Sequence, residues 1–327
     1  MTDATTMKAI FAEQAGGPEV LAYKDVPVPA PGDGQVLIKV AAVGVNYADV
    51  YQRKGVYRTP PPCILGNEGA GTIIGFGPGA GRLAEGADVA FRGAEGGYAE
   101  FVCVPESWCY ELPDGVPAEV GVTMQVQGMT AHFLADDVGK LEPGKSCLVH
   151  AGAGGVGQTL IQIAKLKGAR VLSTVGGASK AERVKSIGAD EVILYRDVDF
   201  VGAVLELTDG EGVDAVFDGV GAATIEGSIA SAGFQGVVAW YGDASGPAPL
   251  LDARKLAPKC VALTRVGLQR FIPDWQTVAR RCDDLAEWYR SGSLKFDIAP
   301  ARPLSDAADV HRAMEARITT GKQILAP

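Results

Sequence analysis

No stretch of this 327-residue sequence approaches the roughly eighteen consecutive apolar residues that a membrane-crossing helix requires. Its first residues, Met1 to Met7, lack a basic region followed by an apolar run, so no secretory leader is read there. A soluble, cytoplasmic protein is expected. Positive charge is also in deficit: 30 Lys+Arg stand against 39 Asp+Glu, a formal net charge of −9. Nucleic acid and anionic membrane surfaces are therefore not expected as partners. Cysteine is sparse, with 6 residues and no C-x-x-C, which excludes a small disulfide-stapled domain and leaves reduced, packed thiols as the default. Cys63, beside a run of prolines, is the one expected to be exposed and oxidisable. Histidine is scarcer still: only His132, His150 and His311 occur, none at ligand spacing with a cysteine.

What the sequence has in excess is glycine, 43 residues without a triplet repeat, which excludes collagen and points to tight turns. At about 100–200 residues per domain the length suggests two domains. From Lys8 to about Glu111 short strands and turns dominate. Val36, Ile38 and Val40 line one face of a strand over 35–43, and the glycine-dense Gly69 to Gly81 suits turns and bulges. The turn chemistry of Pro113 to Pro117 precedes a helical pattern over 118–134. Apolar strand candidates then recur at 147–149, 171–174, 192–194, 213–217, 237–240 and 261–263, with helical segments between several of them. A doubly wound parallel sheet is the economical reading. Helices are expected over 274–289 and 305–316, and a last strand over 322–325.

The strongest motif is Gly152-Ala153-Gly154-Gly155-Val156-Gly157, which satisfies G-x-G-x-x-G after an apolar strand and opens a helix. Such glycines permit a tight turn, close backbone approach to a pyrophosphate and helix–strand contact, while free N–H groups and the helix dipole favour the anion. An acidic residue about 20 positions on marks NAD, because its carboxylate binds the ribose 2′-hydroxyl and repels a 2′-phosphate. Here no acidic residue occurs from Ala153 to Ala181. The second strand runs instead through Gly176 to Lys180, leaving room and positive charge for a 2′-phosphate. Read alone, Lys180 fits equally an ordinary solvated lysine at a helix start.

The order of these parts resembles the medium-chain dehydrogenase/reductase superfamily, and within it the zinc-free quinone oxidoreductases of the zeta-crystallin-like branch. The resemblance is carried by Gly16 to Leu21, Gly44-Val45-Asn46-Tyr47-Ala48-Asp49, Gly97 to Glu100, Gly128-Met129-Thr130, Ala151 to Gly157 and Asp218 to Gly221. It implies an α/β chain in which a Rossmann doubly wound sheet joins a GroES-like, mainly β catalytic domain. The expected boundaries are 1–125 catalytic, 126–268 NADP-binding and 269–327 returning to the catalytic domain, with the active site in the cleft between domains and a homodimer built through the 261–269 edge.

The same resemblance implies NADPH as cofactor and a quinone as hydride acceptor. The alternatives are an enone, enal or enoyl double-bond reductase, and, from another class, a non-catalytic NADPH-binding crystallin-like protein. Zinc-dependent members place Cys where this chain has Asn46 and His where it has Asn67, and two neutral amides are poor zinc ligands; no metal is expected. Asn46, Tyr51 and Arg53 are the expected catalytic donors, although Tyr51 and Arg53 also suit a helix surface. Asn46, Asp49, Thr130, Gly152, Gly154, Gly155, Val156, Gly157, Gly176, Lys180, Tyr195, Tyr241, Gly242 and Arg317 are the implied cofactor contacts. Val56, Tyr57, Met124 and Phe271 are expected to shape the acceptor pocket. Gly219 and Asp243-Ala244 depart from the family's usual residues at the nicotinamide ribose.

Overall fold

The structure is a computed structural model that describes residues 5–56, 61–93 and 95–327. The chain divides into two compact units, one of Met1–Val126, Asp274–Arg290 and Phe296–Pro327, the other of Gln127–Pro273 and Ser291–Lys295.

In the second unit six parallel strands, β1 (Ser146–Val149), β2 (Arg170–Val175), β3 (Glu191–Leu194), β4 (Val213–Asp218), β5 (Ala232–Trp240) and β6 (Ala262–Arg265), form a sheet of order β3-β2-β1-β4-β5-β6. This is the dinucleotide-fold order, which reverses between β2 and β4 around the central β1. Cys147, Leu148 and Val149 are buried without exception, as expected of a strand covered on both faces. Leu148, Leu172, Ile193, Val216 and Val238 form the centre of this core. The six strand candidates read from sequence each overlap one of these strands, the last starting one residue early at Val261. The helix after β1, Gly155–Leu166, packs against it so closely that a Cβ on Gly157 would lie 2.8 Å from the Gly152 Cα and 2.5 Å from the Ala151 carbonyl. The short return Ser291–Lys295 belongs here because Gln162 and Lys295 clamp each other: Gln162 Nε2 donates to the Lys295 carbonyl (2.8 Å) and Lys295 N donates to Gln162 Oε1 (2.9 Å). No residue pattern in that turn announces the exchange.

The first unit is mainly β. A seven-stranded sheet is centred on Gln35–Val45, which pairs antiparallel with Glu68–Phe76, Phe101–Pro105 and the chain's last strand, Gln323–Ala326. Val36, Ile38 and Val40 do share its core with Ile73, Val89 and Phe91. The glycine-dense segment is more regular than its composition suggests: most of it is the strand Glu68–Phe76, and the irregularity appears as two register shifts against Gln35–Val45. The last strand sets Gln323 opposite Val45 and Ile324 opposite Gly44, so Lys322 arrives beside Asn46.

The pattern over 118–134 is helical but not one helix. It runs as α-helix Ala118–Thr123, a π-turn Met124–Gly128, α-helix Met129–Phe133 and a second π-turn Leu134–Val138. A π-turn shifts the hydrogen-bond ladder by one residue, and such turns collect at functional sites. The Val126 N–H here donates to Glu68 Oε2 at 2.8 Å.

Among the described residues no helix is long and apolar enough to cross a membrane. All six cysteines are free thiols; the exposed one is Cys260, while Cys63 is half-buried and burial pushes its thiol up. Because a methyl group at Gly157 meets the Ala151–Gly152 backbone, Gly157→Ala should destabilise the protein by about 1–3 kcal/mol, the usual cost of overpacking. Urea denaturation of the two proteins measures it.

Candidate functional site

The expected site residues separate into two groups, one in each unit. In the dinucleotide-fold unit, the Gly155–Leu166 helix begins at Gly154 with no side-chain cap and no acidic residue in its first turn. Its first N–H groups therefore stay open to an anion, with the positive end of the helix dipole behind them. A Cβ at Gly152 would strike Ser173 Oγ and one at Gly155 the Gln127 amide, so the turn is lined by backbone because nothing larger fits. Val156 is half-buried beside them, and Thr130 is nearly buried on the short helix between the two π-turns.

At the end of β2, a Cβ on Gly176 would lie 3.1 Å from the Tyr195 hydroxyl and 3.3 Å from Arg196 Nε. Lys180, half-buried, belongs to the same cluster: burial lowers its ammonium below the usual value, Tyr195 opposes this, and the like charge of Arg196 lowers it further. Two cations and a phenol thus gather where an NAD site carries an acid. Arg196 escaped the sequence reading, although it directly follows Tyr195.

The motif Asp218 to Gly221 is a rivet for the strand ends. Asp218 Oδ1 accepts from the N–H groups of Val220 (2.8 Å) and Gly221 (3.0 Å), and Oδ2 accepts from Ser228 Oγ (2.6 Å). Ser228 Oγ pairs with His150 Nε2 (3.1 Å), and His150 Nδ1 with Thr174 Oγ1 (2.9 Å). Burial lowers the His150 pKa, so this fully enclosed ring is neutral. The departure at Gly219 also has a reason: a Cβ there would come within 2.7 Å of the Tyr241 ring. Tyr241 and Gly242 pack directly over that turn, and Asp243 is held by Arg265 at 2.8 Å.

In the mainly β unit, Asn46 precedes the helix Tyr47–Arg53. Its Nδ2 donates to Glu68 Oε1 at 2.7 Å, and its Oδ1 accepts from Lys322 Nζ at 3.1 Å. Lys322 Nζ also bonds Glu68 Oε1, and both side chains are wholly inaccessible to solvent. Gly44 gives them clearance, since a Cβ there would lie 2.8 Å from Lys322 Nζ. Sequence reading missed Lys322; the only sign was its position at the start of the expected last strand. A zinc ion does not fit here. Both zinc-ligand positions hold amides, and a buried ammonium already neutralises the remaining carboxylate.

Three expectations need correction. Arg53 was read as a catalytic donor, yet its side chain is fully buried, bonded to the Gly16 carbonyl (3.1 Å), His311 Nδ1 (3.2 Å) and Glu315 (2.7 Å). It ties the helix to the unit's C-terminal part. Asp49 was read as a cofactor contact, yet it too is fully buried, accepting from Asn46 N (2.7 Å) and the Tyr98 hydroxyl (3.2 Å). Met124 was read as an acceptor-pocket residue and is wholly buried core. Tyr51 is half-buried, its ring 6.1 Å from that of Tyr47; Val56 is exposed, Phe271 stacks on Phe133 at 4.3 Å, and Arg317 is exposed after the helix Ala307–Glu315. Tyr57 lies outside the described residues.

Burial raises the Asp49 carboxyl to about 7, with backbone and Tyr98 hydrogen bonds opposing and Glu68 adding. Because the folded value exceeds the unfolded one, the native state holds the proton more tightly between about pH 4 and 7. Stability from this group is present below the unfolded value and lost as pH rises towards 7. Relative to Asp49→Asn, the wild-type protein should therefore lose stability across pH 4–7, with a ceiling of roughly 4 kcal/mol for a shift of three units. Paired denaturation curves across that range test it; parallel pH profiles would count against it.

Comparison with known proteins agrees with this geometry. The alcohol dehydrogenase GroES-like domain family matches residues 32–114, and the family described as zinc-binding dehydrogenase matches 155–284. The latter span contains neither Asn46 nor Asn67. A quinone oxidoreductase of Pseudomonas aeruginosa is 34% identical over 315 residues, covering 95% of this chain and 97% of its own. A 2-haloacrylate reductase of a Burkholderia species is 31% identical, covering 98% of each chain. A mycobacterial protein solved in complex with NADPH superposes with a TM-score of 0.95 at 41% identity, over 98% of this chain and 100% of that one. Glycine turn, strand order, amide-for-ligand exchanges and kinship converge: the chain is an oxidoreductase of the medium-chain dehydrogenase/reductase superfamily, most similar in pattern to its zinc-free quinone oxidoreductases.

Proposed function

We propose that this protein is an NADPH-dependent reductase that passes hydride to a quinone without a metal ion. The observation that carries the reading is the Asn46–Glu68–Lys322 cluster, in which hydrogen-bond donors and a protein cation stand where zinc-dependent relatives hold ligands. Without a Lewis acid an unactivated carbonyl is poorly polarised. A quinone needs little polarisation, and positioning with one or two donors is sufficient.

The residues fit NADPH. Open N–H groups at Gly155 to Gly157 suit the pyrophosphate, and Lys180, Tyr195 and Arg196 suit a 2′-phosphate. Thr130, Tyr241, Gly242 and Arg317 are proposed to line the remainder. Bound NADPH supplies the hydride and both electrons. Asn46 and Tyr51 then donate hydrogen bonds to the acceptor oxygen as it gains charge, and that oxygen takes its proton from water. The relative named 2-haloacrylate reductase supports a second reading, reduction of an activated carbon–carbon double bond. That reaction needs a proton at carbon, for which the Tyr51 hydroxyl is the proposed source.

A steady-state screen of NADPH oxidation against quinones, haloacrylates, enones and alcohols decides between them. Quinones should lead and saturated alcohols should be inert; efficient alcohol oxidation would overturn the proposal. For the cofactor, a hydrogen bond to a charged group is worth about 1.5–3 kcal/mol, or roughly ten- to a hundredfold in affinity. Lys180→Ala and Arg196→Ala should each weaken NADPH by that factor and leave NADH nearly unchanged. Titrating both cofactors by fluorescence checks it, and equal affinity of the wild type for the two would refute the preference.

A further inference from the structure

Lys322 is a lysine in a place where lysine is costly. Its side chain is wholly buried, and Glu68, its ion-pair partner, is buried as well. An ammonium carries three donors and no acceptor, and three acceptors surround this one: Glu68 Oε1, Asn46 Oδ1 at 3.1 Å and the Val45 carbonyl at 3.4 Å. Its backbone has no play either. Lys322 N donates to the Asp297 carbonyl at 2.8 Å, and the Lys322 carbonyl accepts from Ala299 N at 2.9 Å. On the other side Glu68 Oε2 is held by Val126 N.

We propose that Lys322 is a positioning residue for the hydride acceptor, fixing the orientation of the Asn46 amide and placing a positive charge behind it. This rests on the reading that Asn46 faces the acceptor. The argument is one of sign. A donor-only ammonium demands the amide oxygen, and an acceptor-only carboxylate demands the amide nitrogen. Turning the amide over would exchange two attractive contacts for two repulsive ones in surroundings that screen neither. The amide is thereby committed to presenting nitrogen on the Glu68 side, and withdrawal of charge through Oδ1 makes that nitrogen a stronger donor. A bare counter-charge for Glu68 would not need the contact to Asn46.

Two roles must be separated: neutralising Glu68 and orienting Asn46. Lys322→Met leaves a buried carboxylate unpaired and should lower the melting temperature. The double variant Glu68→Gln/Lys322→Met removes both charges while the amide introduced at position 68 still offers an oxygen to Asn46 Nδ2, so folding should largely recover. Turnover should not recover: kcat for 1,4-benzoquinone should remain at least tenfold below wild type, with its KM changed less and NADPH affinity within about twofold. A readout independent of turnover is the Asn46 side-chain NH2 pair in the 15N-correlated NMR spectrum, assigned by its loss in Asn46→Asp. It should move in Lys322→Met, where its Glu68 partner is kept and only the donor to Asn46 Oδ1 is lost. Recovery of wild-type kcat in the double variant, or an unmoved Asn46 pair in Lys322→Met, would overturn the proposal and reduce Lys322 to a counter-ion. If the wild type reduces no quinone, yet the Asn46 pair moves in Lys322→Met, the orienting contact stands and the proposed function falls.

Discussion

A carboxylate and an ammonium, both removed from water, meet at the end of the central strand of the mainly β unit, and much of the local architecture follows from keeping them together. Removing either ion from solvent costs several kcal/mol even after relaxation, and only close pairing with further hydrogen bonds offsets that. Glu68 therefore cannot tolerate a vague neighbourhood. The last strand must return antiparallel to Gln35–Val45 in a register that delivers Lys322, Gly44 must lack a side chain, and the π-turn must free the Val126 N–H for the second carboxylate oxygen. The constraint links residues 44, 46, 68, 126 and 322 into one requirement, which explains why both ends of the chain build the same unit.

A second enclosed network stands beside the first in the same unit. Asp49 joins Asn46 N to the Tyr98 hydroxyl, Tyr98 reaches His311 Nε2 at 3.2 Å, and His311 Nδ1 meets Arg53, which ends on Glu315. Burial and the Arg53 charge push the His311 pKa down to about 3, so its ring is neutral and can donate at one nitrogen only. The network fixes the helix Tyr47–Arg53, and with it Asn46 and Tyr51. Arg53 thus holds this helix from behind, through Gly16, His311 and Glu315.

The dinucleotide fold was legible because its signals are local. Apolar runs mark strands, a glycine turn marks the helix start, and a missing acid is visible as a gap. Cys147 to Val149 and Gly152 to Gly157 needed no tertiary information. The candidate site was only half legible for the opposite reason. Lys322 is separated from Glu68 by 254 positions, and nothing in the residues around it distinguishes a buried ammonium from a solvated one. Arg53 misled because a cation on a helix near a motif looks available; only the packed structure shows Gly16, His311 and Glu315 consuming its donors. The helical pattern over 118–134 hid its two π-turns, since one inserted residue barely disturbs apolar spacing.

The exchange of ligands for amides has a chemical consequence beyond the loss of a metal site. A divalent metal stabilises a developing oxyanion through direct coordination, whereas an amide N–H backed by an ammonium does so through one oriented hydrogen bond. The second arrangement is weaker and depends on geometry. Its strength is set by how firmly Asn46 is held, and every contact described around that amide is a restraint on its position or its orientation. Such a site is suited to acceptors whose electronic structure already welcomes hydride. In these terms the buried ion pair and the proposed acceptor express one constraint: the fold commits these polar contacts to the orientation of Asn46.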